Sequence, residues 1–239
     1  FGSAYTIRVG DIPPARSGYG DPAQKLFKFK DGERIIAALS LDPRFYSVPP
    51  QSTKKMAPVL PLFDGATVDG DEPVSLGQIM AVSSAGMGIR FDLTPFKEPS
   101  TRLGRKFMKV RDGEEVVNVE AISLVSKTPI ISVVSRKGRV LLCKAKEVGL
   151  LSGPGRGVTV IKLDSSDRLL ASRLLYQKDD QLVAFKQEGA KLPISIRKYR
   201  PIGRGGKGHV LFKRGNLKDV QTLPIELPVL DSENVRNNN

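Results

Sequence analysis

Four glycines set the phase of this sequence. Gly2, Gly86, Gly138 and Gly189 each open a segment whose parts follow in the same order. An apolar or aromatic residue comes first: Ile12, Phe96, Val148 or Tyr199. A loop bearing glycine and basic residues follows. The four loops are Ala15-Arg16-Ser17-Gly18-Tyr19-Gly20, Thr101-Arg102-Leu103-Gly104-Arg105-Lys106, Gly153-Pro154-Gly155-Arg156-Gly157 and Gly203-Arg204-Gly205-Gly206-Lys207-Gly208. A β-type run then reaches a turn at Asp31-Gly32, Asp112-Gly113, Asp164-Ser165 or Arg214-Gly215, and a last β-type run leaves it. Those last runs are Ile35-Ile36-Ala37-Ala38-Leu39, Val116-Val117-Asn118-Val119, Leu169-Leu170-Ala171 and Val220 onward. A unit reused in this way cannot bury its apolar face alone, so successive units must stack. The last two anchor intervals are close to the length of one four-stranded blade, about 40–50 residues.

The runs themselves read as strands. Tyr5-Thr6-Ile7-Arg8-Val9, Leu26-Phe27-Lys28-Phe29-Lys30 and Phe107-Met108-Lys109-Val110-Arg111 alternate apolar and polar residues. Val133-Val134, Val158-Thr159-Val160-Ile161 and Leu182-Val183-Ala184-Phe185 read as more buried strands. Short runs of this kind between Gly and Pro signals predict an all-β protein. SDRLLASRLLY, at 166–176, has a helical look, but its place in the repeat makes it a strand. Three repeats also carry a β run just before the anchor glycine, at 78–83, 130–135 and 181–185. The first repeat has none, since the chain opens at Phe1, and it lacks an initiator Met. We therefore expect a piece of a longer protein, cut inside a blade. Radial repetition of small sheets is the propeller-type solution to unpaired sheet edges. The expected domain spans 1–230. An insertion at about 42–73, rich in Pro and Gly, lengthens the first interval. A polar tail at 231–239 is expected to be disordered.

Charge narrows the partners. The 239 residues carry 38 Lys and Arg against 25 Asp and Glu, a formal net charge of +13. Such an excess suits nucleic acid or an anionic surface. It peaks in the last repeat, where residues 191–218 include Arg197, Lys198, Arg200, Arg204 and Lys207 and contain no Asp or Glu. No apolar run approaches a membrane span. Cys143 is the only cysteine, so neither an intrachain disulfide nor a thiolate zinc site is available. A buried, inert thiol is its expected role. GRGGKGH lacks the spacing and the Ser or Thr of a P-loop. His209, the only histidine, has no second histidine for a metal site or triad and reads as a strand-edge residue. Tyr199 fills a position held by Ile, Phe and Val elsewhere, which makes it structural.

The phased repeats resemble the C-terminal domain of the bacterial type IIA topoisomerase A subunit, of gyrase or of topoisomerase IV. The resemblance is carried by GSAYTIRVGDIPPARSGYGDP with KLFKFKDGERIIAAL, by MGIRFDLTPFKEPSTRLGRKFMKVRDGEEVV, and by GRGGKG at 203–208, which is similar to the core of the gyrase glycine-rich box. That box belongs to the first blade in gyrase and falls in the last repeat here. Gyrase typically has six such repeats, against about four here. The resemblance implies a β-pinwheel of about four four-stranded blades, with strands exchanged between neighbours. It further implies double-stranded DNA bent around a basic perimeter. Arg16, Arg102, Arg105, Lys106, Arg156, Arg197, Lys198, Arg200, Arg204 and Lys207 are the candidate contacts. The implied partners are the ATPase B subunit together with the rest of the A subunit, in the cytoplasm at the nucleoid. No cofactor is expected in this piece, since ATP and magnesium would serve elsewhere in the holoenzyme. No catalytic residue is expected: Ala4-Tyr5-Thr6 lacks the adjacent basic residue of the cleavage motif. The alternative is a protein-interaction propeller whose charge is incidental.

Overall fold

The structure, a computed structural model, describes residues 1–14, 20–42, 77–122 and 129–221. Most of the insertion, the loop arginine Arg16 and the tail lie outside these residues. Within them, regular structure is β-strand and short 3-10 turns, with no α-helix. The strands are β1 (Ser3–Ala4), β2 (Gln78–Ser83), β3 (Met87–Asp92), β4 (Arg105–Lys106), β5 (Val116–Ile122), β6 (Ile130–Ser135) and β7 (Arg139–Lys144), then β8 (Leu150–Leu151), β9 (Val158–Thr159), β10 (Leu169–Leu175), β11 (Gln181–Lys186), β12 (Lys191–Ser195), β13 (His209–Val210) and β14 (Leu217–Val220).

Each anchor glycine with a strand before it makes a hairpin. The Gly86 N–H donates to the Ser83 carbonyl at 2.9 Å, and Gly138 and Gly189 make the same bond to Ser135 and Lys186. Their φ angles of 78°, 78° and 83° are left-handed. Glycine takes that conformation without the clash a Cβ would bring, so it fixes the turn. The hairpins β2–β3, β6–β7 and β11–β12 are antiparallel throughout. The last strand of each repeat then returns to the outer side of the first hairpin strand: β5 on β2, β10 on β6, β14 on β11.

The fourth position of a blade is filled from the next repeat. Strand β9 joins β3 with Met87 opposite Thr159. One blade on, β13 joins β7 with Arg139 opposite Val210. One blade back, β1 joins β4 with Ser3 opposite Lys106. In these three cases the residue after the anchor glycine pairs with the residue two past the last glycine of the next repeat's loop, Gly104, Gly157 or Gly208. Exchange makes blades two and three complete, with β8 added in parallel to β3. Among the described residues the fourth blade has three strands and the first has β1 with β4.

Burial follows from this stacking. Successive side chains of a strand point to opposite faces, and the central strands are buried on both. Ile79 and Ala81 of β2 join Phe91, Phe107 and Met108 in one apolar layer. Met80 and Val82 join Ile131 and Val133 of β6 in the next. Val134 joins Leu182, Ala184 and Ile194 of the fourth blade in a third. The core is therefore a row of blade-to-blade layers. Cys143 lies in the middle layer, fully buried, and burial pushes its thiol up to about 12.

One seam also holds a polar bridge. Asn118 Nδ2 of β5 donates to the Ser172 carbonyl of β10 at 2.9 Å, and the Leu174 N–H donates to Glu120 Oε2 at 3.0 Å. Burial pushes the Glu120 carboxyl up to about 7, against the opposing pull of the Leu174 and Asn118 donors and of Arg173.

Five expected strands differ. Tyr5 to Val9 and Phe107 to Arg111 form no strand: Val9 begins a 3-10 turn, and Met108 makes only an isolated bridge to Gly155. Val160 and Ile161 are fully buried but outside β9. Leu26 to Lys30 forms no strand, although the Lys28 N–H bonds the Arg102 carbonyl at 2.8 Å. Ile35 to Leu39 forms none either. Its counterparts β5, β10 and β14 each pair with the strand before an anchor, and the first repeat supplies no such strand among the described residues.

Candidate nucleic-acid interface

The basic loops are fixed at the seams between blades. Gly157 has φ +77°, and a Cβ there would overlap the Gly88 carbonyl oxygen and the Ile89 side chain. Gly104 and Gly208 stand in the same relation to Ala4 and Val140 of their preceding blades. The anchors reciprocate: a Cβ on Gly86 would stand 2.5 Å from the Ile161 carbonyl oxygen. Backbone therefore meets backbone at three equivalent points, which only glycine permits. The two remaining members of these sets, Gly20 and Gly189, meet nothing within 4 Å. They mark the open ends of the row of described blades.

This docking determines where the cations stand. Arg156 and Lys207 occupy the position just before the docking glycines Gly157 and Gly208, and both are exposed. Exposed Leu103 holds that position in the second repeat, with exposed Arg102 beside it. Arg102 donates to the Lys25 carbonyl at 3.2 Å. Lys106 donates to the Phe1 carbonyl at 2.7 Å.

Two of the candidate arginines also brace the fold. Arg105 spans the Pro95 and Pro99 carbonyls, at 2.6 and 3.3 Å. Arg204 reaches back across the seam to the Glu147 carbonyl through Nε at 2.9 Å and to the Thr159 carbonyl through a terminal nitrogen at 3.4 Å. The Arg204 N–H donates to the Glu147 carboxylate at 3.1 Å. A guanidinium has five N–H donors, so each retains donors toward solvent.

The last repeat divides the candidates. Arg197 is paired with Asp179 at 2.8 Å, so its charge is already compensated. Lys198, Arg200 and Lys207 are exposed and have no acidic partner among the described residues. Lys198 lies over the Tyr199 ring at 5.6 Å. Tyr199 itself packs against the third apolar layer, as its place in the repeat requires. His209 lies in β13, its Nε2 3.3 Å from the Arg200 carbonyl.

A second set of cations escapes a reading of the loops alone. The N–H groups of Lys28, Lys109 and Lys162 donate at 2.8 Å to the carbonyls of Arg102, Gly155 and Gly206, respectively. Each acceptor lies in the basic loop of the following repeat. All three lysines are exposed. They form one recurrent position beside successive loops. Lys109 and Lys162 each stand five residues past Gly104 and Gly157, a spacing that Lys28 does not keep from Gly20, so the sequence alone does not group the three. Among the described residues no helix is long and apolar enough to cross a membrane.

Sheets of this connectivity, exchanged strand by strand, define a propeller-type protein with a basic loop at each seam. A family described as the DNA gyrase C-terminal domain, a β-propeller, matches residues 77–123 and 130–174, which are the second and third repeats. That match spans less than half of the chain and agrees with the resemblance carried by the repeats. Over 227 aligned residues the chain is 23% identical to the DNA gyrase A subunit of Pseudomonas aeruginosa, covering 87% of this chain and 24% of that protein. It is 24% identical over 140 residues to the DNA gyrase A subunit of Borreliella burgdorferi, covering 59% of this chain and 17% of that one. The chain thus spans about a quarter or less of the curated relatives it matches. Among solved structures, the C-terminal domain of DNA topoisomerase IV aligns with a TM-score of 0.55 at 18% identity, covering 62% of this chain and 46% of that one. A DNA gyrase A C-terminal domain aligns with a TM-score of 0.51 at 20% identity, covering 62% and 50%. These two likenesses concern the fold.

Proposed function

We propose that this chain binds and bends double-stranded DNA as the C-terminal domain of a type IIA topoisomerase A subunit. In that role it presents a DNA segment to a cleavage core elsewhere in the holoenzyme. The observation that supports this best is the seam geometry. One docking rule, used three times, sets Arg102, Arg156 and Lys207 at or beside the docking glycine of successive loops, with Lys28, Lys109 and Lys162 beside those loops. Cations at a fixed repeat suit a continuous phosphate path, because phosphate contacts position a duplex without reading its bases. Arg105, Lys106, Lys198, Arg200 and Arg204 are further candidate contacts, and Arg16 belongs to the loop of the first repeat. Arg197 contributes least, since Asp179 already holds it.

Neutralising phosphates releases counterions, so affinity should fall steeply with salt. Bending costs energy that depends on the sequence bent, so flexible duplexes should be preferred. Strand cleavage, ATP and magnesium belong, on this reading, to the B subunit together with the remainder of the A subunit, in the cytoplasm at the nucleoid. Fluorescence energy transfer between the ends of a duplex of many turns tests the proposal. End-to-end approach at low salt, lost as salt rises, is the expected result. No approach at low salt, together with weak binding, would favour a protein-interaction propeller whose charge is incidental.

A further inference from the structure

The most basic stretch of the chain, residues 191–218, contains no acidic residue of its own. A carboxylate of the preceding repeat nevertheless sits against its glycine-rich loop. Glu147 ends the 3-10 turn Ala145–Glu147. Its Oε1 accepts the Lys144 N–H and its Oε2 accepts the Arg204 N–H, both at 3.1 Å. In return the Arg204 Nε donates to the Glu147 carbonyl at 2.9 Å. Each residue thus holds the backbone of the other with its side chain. On charge alone, an acid placed here opposes the binding of a polyanion. Any help it gives to binding must come from placing the loop.

The loop needs such a tie. Gly203, Gly205, Gly206 and Gly208 make up four of its six residues, and glycine loses more conformational freedom on ordering than any other residue. Three bonds to the preceding repeat hold its first half. The Arg204 N–H goes to Glu147, the Gly205 N–H donates to the Val160 carbonyl at 2.7 Å, and the Lys162 N–H donates to the Gly206 carbonyl at 2.8 Å. The third loop is built differently. Pro95 stands nine residues past the anchor Gly86, as Glu147 does past Gly138, and it offers no carboxylate. Pro154 stands three residues before the docking glycine, as Gly205 does in the last loop, and it has no N–H. Of these two loops only the last is clasped by a side chain of the repeat it docks on.

We propose that Glu147 is a positioning residue for DNA: by clasping Arg204 it holds the loop from Gly203 to Gly208 in its binding conformation, so that an acidic side chain strengthens the grip on a polyanion. The inference rests on the DNA-binding reading above and deepens it. Both carboxylate oxygens are spent on backbone N–H groups, one in each repeat, so the charge is held by hydrogen bonds at the seam. Without the clasp the glycine-rich loop samples other conformations. Apparent affinity then falls by the fraction of chains in which the loop is correctly placed. Lys207 depends on that placement, because it lies in the same loop and is exposed.

The test is a double-mutant cycle on the 239-residue chain. Affinity for a fluorescent duplex of many turns is measured by anisotropy at low salt for the parent, Glu147→Ala, Lys207→Ala and the double variant. Circular dichroism verifies that each is folded. Glu147→Ala should weaken binding by about two- to tenfold, the worth of a hydrogen bond, although it removes a negative charge. Lys207→Ala should cost much less in the Glu147→Ala chain than in the parent, because the lysine has already lost its placement. A merely structural role would leave the two costs additive, and additive costs overturn the proposal. Unchanged or tighter binding by Glu147→Ala also overturns it, since the carboxylate would then act through its charge alone. If Glu147→Ala does not fold, Glu147→Gln, whose amide accepts at one oxygen only, replaces it in the same cycle with the same criteria. A parent that does not bind the duplex at low salt defeats the DNA reading and this inference together; a parent that binds while the cycle is additive defeats the clasp alone.

Discussion

Gly157→Ala is the sharpest probe of the exchanged architecture. Two costs are expected. A left-handed residue with a Cβ costs about 1–2 kcal/mol. At φ +77° an alanine in place of Gly157 would bear this cost whatever its surroundings. The second cost is local, because the new methyl group would overlap the Gly88 carbonyl oxygen and the Ile89 side chain. Overpacking of this kind costs about 1–3 kcal/mol more. Gly113→Ala separates the two terms, for Gly113 has φ +75° and meets nothing within 4 Å. For a domain of this size 1 kcal/mol corresponds to about 2–4 °C in Tm. Gly157→Ala should therefore lower Tm by about 4–20 °C and Gly113→Ala by about 2–8 °C. Thermal unfolding followed by circular dichroism measures both. Equal shifts for the two variants would refute the docking of the third loop onto the second blade.

Other outcomes follow from single side chains. Glu120 titrates at about 7 in the folded chain against 4.5 for the free group. The folded state then holds the extra proton between those values, so stability contributed by this site falls as pH rises from about 4.5 through about 7. Glu120→Gln should be more stable than the parent at pH 8, by up to the order of 3 kcal/mol, and should match it near pH 4.5; urea titrations at the two pH values decide. Lys207→Ala should weaken DNA binding and lower the slope of log affinity against log salt by about 1, with no change in Tm. Arg204→Ala should lower both affinity and Tm, because that guanidinium also ties the loop to Glu147 and Thr159. A thiol reagent should label Cys143 only as fast as the chain unfolds, since the group is fully buried and its thiolate is suppressed.

The repeat makes much of the fold legible. It identifies residues 169–175 as a strand despite their helical look, because they occupy the place of Val116 to Val119. It puts turns at Asp31-Gly32 and Asp112-Gly113 and gives Tyr199 a packing role. What it leaves out depends on contacts between repeats or across hairpins. Nothing near Arg197 in sequence announces Asp179, which lies across the β11–β12 hairpin. Arg105 and Arg204 read as free loop charges because their acceptors are backbone carbonyls, which the sequence does not distinguish. The lysines at 28, 109 and 162 sit in or beside runs that read as strands. Their place beside the loops becomes visible only once each N–H is seen to bond the following repeat. Ile35 to Leu39 has strand composition without strand structure, since the described residues offer it no strand to pair with.

Strand exchange also gives the chain a direction in time. β3 is synthesised before β9, which completes its sheet, and Gly88 must wait for Val158. Val140 waits for His209 in the same way. At about 5–20 residues per second on the ribosome, each hairpin has an open edge for several seconds while its closing strand is made. A pause between the anchor and the next loop would prolong that exposure. Because the closing strand always comes from downstream, a stop inside any repeat damages the blade before it as well as its own.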